Sequence, residues 1–135
     1  MVKLTKEIKD EMAKVKVFML ATSSSKGVPN VVPIGMLFLQ DDDETVWIVD
    51  NFMGKTLANM KENPVAAFPV WSPDGQTCYQ IKGRLSIENS GPDYEKAVAI
   101  AHAKNEMLPA KNLIKMSICQ VFSVKPGPDA GKRVL

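Results

Sequence analysis

Between Thr5 and about Lys16, apolar residues recur at Ile8, Met12 and Val15 with Lys, Asp and Glu between them. This is the spacing of a short amphipathic helix, with Thr5 as its N-cap. The period then changes. Val17 to Thr22 is a compact apolar run that stops at Ser23-Ser24-Ser25-Lys26-Gly27, which predicts a buried strand entering a hairpin. Beyond the turn, Val28 to Leu39 is long and apolar but carries Pro29 and Pro33. Proline has no N–H for a sheet ladder, so these positions predict an edge, a bulge or a break in pairing. An interrupted strand is a natural binding surface.

The acidic loop Asp41-Asp42-Asp43-Glu44 has the length of a hairpin connection and leads to a strand over Thr45 to Asp50. Asn51 to Gly54 then open a short helix over Lys55 to Glu62, ended by Asn63-Pro64. Val65 to Trp71 reads as a strand with Pro69 in it, and Ser72-Pro73-Asp74-Gly75 as a turn. Gln76 to Glu88 reads as a strand pair with a bulge or bend at Gly83. Pro92-Asp93-Tyr94-Glu95 has proline at the first helical position and acids in the first turn, and Tyr94, Val98, Ala101 and Asn105 share a face of the helix that follows. Asn112 to Val124 is the last strand, and Asp129 to Leu135 reads as a tail. Six strands joined mostly by hairpin-length connections predict a mainly β protein, an antiparallel sheet curled into a small barrel with short helices at its ends. The expected unit is one domain over residues 1–128. Its strands carry more apolar surface than so small a barrel need bury alone, which predicts a homodimer.

Composition narrows the function. The 135 residues suit one domain, and 45% hydrophobic against 24% charged residues excludes a disordered chain. Seventeen Lys and Arg against fifteen Asp and Glu give +2, with both signs interspersed, which argues against a nucleic-acid partner. No stretch approaches the roughly 20 apolar residues of a membrane span, and no signal-peptide pattern follows Lys3, Lys6 and Lys9, so the expected setting is cytoplasmic. Cys78, Cys119 and the single His102 offer no metal-ligand spacing. The cysteines are read as reduced thiols inside strands and His102 as structural or solvated. With so little acid–base material, any chemistry points to a bound cofactor.

The segment Val49-Asp50-Asn51-Phe52-Met53-Gly54-Lys55-Thr56 runs from a strand through a short loop into a helix. It is not a P-loop, because that motif needs glycine where Val49 stands and a loop free of bulky residues such as Phe52 and Met53. What remains is a glycine, an ammonium and a hydroxyl at a helix N-terminus, a set suited to a single phosphate. Read by spacing alone, a surface lysine and a helix-capping threonine fit equally well.

The ordered set Leu20-Ala21-Thr22, Gly27-Val28-Pro29, Pro33-Ile34-Gly35, Asp50-Asn51, Lys55-Thr56-Leu57-Ala58-Asn59, Asn63-Pro64-Val65-Ala66 and Ile81-Lys82-Gly83-Arg84-Leu85 resembles the FMN-binding split β-barrel proteins related to pyridoxamine 5′-phosphate oxidase. The resemblance extends from about residue 7 to residue 124. It implies a six-stranded antiparallel split barrel, a homodimer and one FMN in each of two interface clefts. By position, Lys55 and Thr56 would hold the flavin phosphate, and Pro33, Ile34 and Gly35 would lie along the isoalloxazine ring. Val49, Asp50 and Asn51 would flank the ribityl chain and ring. Gln80 would stand near the phosphate or ribityl hydroxyls, and Trp71 would reach the partner subunit's cofactor; plain strand positions are the competing reading for both. The chain ends Gly131-Lys132-Arg133-Val134-Leu135 without the Arg-Leu-x-Pro-like segment of true pyridoxamine phosphate oxidases, which argues against vitamin B6 oxidation. The implied function is an FMN-dependent oxidoreductase or flavin-mediated electron-transfer protein. The alternatives are a non-catalytic FMN carrier or sensing module, or the same barrel holding coenzyme F420 or haem.

Overall fold

The computed structural model describes residues 1–135 and contains three helices and seven strands. Helix α1 (Lys6–Ala13) precedes β1 (Phe18–Ser23), β2 (Pro29–Ile34), β3 (Leu37–Leu39) and β4 (Thr45–Asp50). Helix α2 (Lys55–Glu62), β5 (Val65–Trp71), β6 (Cys78–Glu88), α3 (Pro92–Lys104) and β7 (Asn112–Ser123) follow. Thr5 caps α1 as its sequence predicts, its Oγ1 accepting from the Ile8 N–H. All seven strands form one antiparallel sheet in the order β2-β1-β5-β6-β7-β4-β3. The edge strands β2 and β3 are consecutive in the chain and separated only by Gly35 and Met36, so the sheet curls until its edges approach each other there.

The count of seven corrects the expected six. Val28 to Leu39 does not remain one strand, because its first half pairs with β1 and its second half with β4, at opposite edges of the sheet. Pairing therefore breaks at Gly35-Met36. Gln76 to Glu88, read as a strand pair, contains one long strand, β6, which pairs with β5 on one side and β7 on the other. The bend predicted at Gly83 takes the form of a register shift between Lys82 and Gly83. A Cβ on Gly83 would overlap the Ser117 carbonyl oxygen and stand 2.7 Å from Met116 Cγ, so only glycine fits where the strands close up.

Alternation along the strands turns one side chain in two toward the interior, where 17 buried residues, Leu20, Phe68, Ile81 and Met116 among them, form the main core. Phe18 meets Phe68 edge to face at 5.6 Å between ring centroids. A second cluster lies under α3, where Ala97 and Ala101 pack on Met36, Trp47, Val49 and Leu113. The small alanines let the helix lie close to β4. Its first turn is tied to the sheet by Lys115 on β7, whose ammonium is 2.7 Å from Asp93 and 2.6 Å from Glu88. Cys78 and Cys119 are free, half-buried thiols in β6 and β7, and burial pushes the Cys78 thiol up. At the C-terminal end, residues 131–135 fold back along β7. The Gly131 and Val134 N–H groups donate to the carbonyls of Ser123 and Val121, and Leu135 packs on the main core. No helix is long and apolar enough to cross a membrane.

Replacing Gly83 by Ala should lower stability by about 1–3 kcal/mol, read as a reduced denaturant midpoint, because neither the Ser117 carbonyl nor β7 can give way freely. The ion cluster on α3 predicts a pH dependence. The hydrogen bond to Lys115 holds the Asp93 carboxyl below its ordinary range, and Asp93, with Glu88, raises Lys115. A lowered carboxyl contributes stability above its unfolded value, about 3.9, and loses it as pH falls through the folded value. Lys115 contributes below about 10.4 and loses its share as pH rises through its raised value. Asp93→Asn should therefore melt below the wild type at neutral pH, with the gap closing as the solution is acidified past the Asp93 titration.

Candidate functional site

A cleft of about 440 Å³ opens where the two sheet edges approach, between β2, the Gly35-Met36 link, the end of β4 and the loop into α2. Its size lies within the roughly 300–1,000 Å³ usual for small-molecule sites. At one end stands the start of α2. Gly54 occupies the N-cap position and has no side chain to offer, and no acid lies in the first turn. The N–H groups of Lys55, Thr56 and Leu57 consequently meet no acceptor in the protein. Lys55 is exposed and joins no ion pair, whereas Thr56 is only 2% exposed. Unspent donors, a helix dipole and an ammonium make this end attractive to an anion.

Thr56 is fixed by a polar network that ties α2 to the sheet. The Asn30 amide on β2 donates to Thr56 Oγ1 at 3.1 Å and to Thr22 Oγ1 at 3.2 Å, and Asn59 donates to the same Thr22 oxygen at 3.1 Å. With its oxygen accepting from Asn30, the Thr56 hydroxyl keeps its proton for another acceptor. The other walls are largely apolar, built from Val32, Pro33, Ile34, Met36, Val49 and the loop residues Phe52 and Met53.

The loop that carries Phe52 and Met53 is shaped by its two polar predecessors. Asp50 is fully buried; one carboxylate oxygen accepts from the Met53 N–H at 3.0 Å and the other from the Asn112 amide at 2.8 Å. Asn51 accepts from the Ala110 N–H at 3.0 Å and donates to the Met36 sulfur at 3.4 Å. Ala110 has φ +43°, a left-handed conformation costly for a residue with a Cβ. It is held there from both sides, since the Tyr94 hydroxyl donates to its carbonyl at 2.8 Å. Backbone strain behind a binding cleft is retained only where the surroundings over-determine it.

Of the ten residues singled out from sequence, Pro33, Ile34, Gly35, Val49, Asn51, Lys55 and Thr56 come together around this one cleft. Asp50 stands behind it, its carboxylate turned into the protein. Trp71, at the end of β5, and Gln80, on β6, line no part of it. The structure adds Asn30, Val32, Met36, Phe52, Met53 and Gly54 to the lining. For Asn30 the available signal was an amide inside an apolar, proline-marked run; for Phe52 and Met53 it was two large apolar residues in a short loop.

The family model for pyridoxamine 5′-phosphate oxidase matches residues 4–125. An uncharacterized protein of Methanocaldococcus jannaschii is 35% identical over 134 residues, covering 98% of this chain and 89% of that protein. Among solved structures, Group A Streptococcus HupZ superposes with a TM-score of 0.79 at 26% identity, covering 95% of this chain and 99% of the other. An FMN-binding protein from Syntrophomonas wolfei superposes with a TM-score of 0.67 at 19% identity, over 88% and 84% of the two chains. The heme storage protein HutZ of Vibrio cholerae and an F420 reductase share the same fold at 17% identity, with TM-scores of 0.69 and 0.67. They cover 90% and 87% of this chain and 95% and 98% of their own.

Asp50→Ala should cost about 2–3 kcal/mol, because the half-buried Met53 N–H and Asn112 amide lose a charged, fully buried acceptor. Thermal melting measures the loss, and faster backbone hydrogen exchange at residues 51–54 shows that it loosens the cleft wall.

Proposed function

We propose that this chain, which belongs to the pyridoxamine 5′-phosphate oxidase family, is an FMN-binding oxidoreductase or flavin-mediated electron-transfer protein. The observation that carries the reading is the pairing of an uncapped helix start, with Lys55 and Thr56 on it, and an apolar-walled cleft running away from it along β2. The α2 N–H groups, the Lys55 ammonium and the Thr56 hydroxyl bind the phosphate. Pro33, Ile34 and Gly35 offer a flat strand wall to the ring, and Val49 and Asn51 border the ring and ribityl chain from the other side. Asp50 acts one step back, holding the loop that carries Met53. Gly35 leaves the strand bare, so a planar group can lie directly on backbone.

FMN, when bound, supplies the exchange of reducing equivalents; the chain supplies binding, orientation and a dry wall. The cleft side chains suit that division, since the only ionisable one among them is Lys55. The same inventory favours FMN over the other groups held by this fold. Haem iron is ordinarily held by His, Cys, Met or Tyr. Here the single His102 contacts the Leu108 carbonyl, and of the cleft's two methionines Met36 already accepts a hydrogen bond from Asn51. A deazaflavin with a polyanionic tail calls for more cations than Lys55 provides.

A homodimer completes the proposed site. Phe52 lines the cleft yet is 76% exposed, and Val31, Val65 and Trp71 are exposed on β2 and β5, an apolar surface that a second copy would cover. Trp71, outside the cleft of its own chain, is assigned to the second copy's cofactor, and Gln80, which lines no part of the cleft, is given no role in it.

The purified protein should show the absorbance bands of oxidised flavin or acquire them on addition of FMN. Bleaching by NADH or NADPH identifies an oxidoreductase, whereas tight retention without reduction by either identifies a carrier or sensing module. A protein that stays colourless with added FMN refutes the reading. Lys55→Ala should weaken FMN binding roughly tenfold to a hundredfold through loss of a charge-assisted bond, measured by fluorescence quenching of free FMN. An unchanged Kd removes Lys55 from the phosphate site.

A further inference from the structure

The chain changes sheet partners at Gly35-Met36, and beyond the change β3 has a neighbour on one side only. The Val49 N–H donates to the Met36 carbonyl at 3.0 Å and the Gln40 N–H to the Thr45 carbonyl at 2.8 Å. Antiparallel ladders bond alternate residues, so Met36, Phe38 and Gln40 face β4 while Leu37 and Leu39 turn their N–H and C=O groups away from it. No group of the protein bonds to them there. Leu37 is nonetheless only 5% exposed. A backbone donor and acceptor withdrawn from water without partners is costly and uncommon.

The vacancy beside β3 originates in β1. The ladder of β1 with β2 starts at Phe18 and Ile34, and its continuation would set residues 15–17 opposite residues 35–37. Instead the Lys14 and Val15 N–H groups donate to the Glu11 and Met12 carbonyls, and the chain coils away into the end of α1. A groove of about 380 Å³ is left between that end and the free edge of β3, sharing only Gly35 with the cleft. Met12, Val15, Phe18 and Leu39 make its walls apolar, and Lys16, exposed and in no ion pair, lines it as well. The N–H groups of Val2 and Leu4 bond to Ile118 and Asp43, and residues 131–135 lie along β7, so neither segment fills the groove.

We propose that this groove receives an extended segment of a partner protein, which joins β3 as an added strand. Three residues of extended chain, about 10 Å long, match the length of β3. Residues opposite Leu37 and Leu39 point to the same side as those two, which pack in or against the main core, so both are apolar. The residue between them turns the other way and is polar. A carboxylate next to this triplet answers the unpaired charge of Lys16. The backbone groups decide the class of ligand. A fatty chain would suit the apolar walls but leave the Leu37 and Leu39 N–H groups unbonded. The sheet edge of a second copy would bring further strands against α1, whereas a loose segment brings only itself.

The test uses the full chain and a synthetic acetylated peptide, Val-Thr-Val-Thr-Val-Glu, at millimolar concentration, with amide hydrogen exchange followed residue by residue. Binding should slow exchange at Leu37 and Leu39 about tenfold, for a Kd of about 1 mM or below. Two forms of the peptide, N-methylated at odd or at even positions, should differ: the one that loses the N–H groups facing β3 no longer binds, and the other still does. Lys16→Glu, an exposed change that leaves the melting temperature in place, should weaken binding about threefold to tenfold. Lys16→Glu that binds as tightly as the wild type overturns the preference for an acid. The proposal as a whole is overturned by absence of binding, by binding that leaves the Leu37 and Leu39 amides unprotected, or by two methylated peptides that bind alike. Protection of those amides that grows with protein concentration, without peptide, identifies a second copy as the occupant and also overturns it. So does decanoate, if it protects them as well as the peptide does.

Discussion

The edges of this sheet are consecutive in the chain, and that connection governs the fold. Seven strands in a flat sheet would put β2 and β3 six spacings apart, about 29 Å, whereas the link from Ile34 to Leu37 reaches at most about 11 Å. The sheet has to roll until its edges face each other. Full closure would need a ladder between β2 and β3, but each is paired on one side only, β2 with β1 and β3 with β4. The unpaired gap is the cleft. Its position follows from chain connectivity, and the apolar walls follow from strands that must turn half their side chains inward.

Rigidity is concentrated where the gap would otherwise be soft. The loop from β4 to α2 has no sheet partner, yet Asp50 bonds its turn to Asn112 on β7 while Asn51 reaches the Ala110 N–H. Ala110 keeps an unfavourable backbone conformation because Asn51 and Tyr94 hold its N–H and carbonyl from opposite sides. Across the gap, the Thr22-Asn30-Thr56-Asn59 network does for α2 what the ladder does for strands. Each wall is pre-organised before any ligand arrives, which lowers the ordering cost of binding.

What could be read in the sequence was local. A helix start is encoded within a few residues, so Gly54, Lys55 and Thr56 could be placed at one without knowledge of the fold. Prolines mark an interrupted strand by covalent structure, so Pro33 to Gly35 stood out as well. The unreadable parts are pairings between distant segments. The partner change that divides Val28 to Leu39 depends on β1 and β4 lying near opposite edges of the sheet, and no periodicity within those twelve residues records it. Asp50 was recognisable as a polar residue ending a strand, but the direction of its carboxylate is set by Asn112, 62 residues later.

Those distant pairings also bring chemically different surfaces to one gap. The start of α2 falls at one end of the cleft because α2 follows β4 directly, and α3 backs the walls because its alanines allow it to pack on Met36 and Val49. The same closure that creates the cleft thus sets unpaired backbone donors and Lys55 at one end of largely apolar walls.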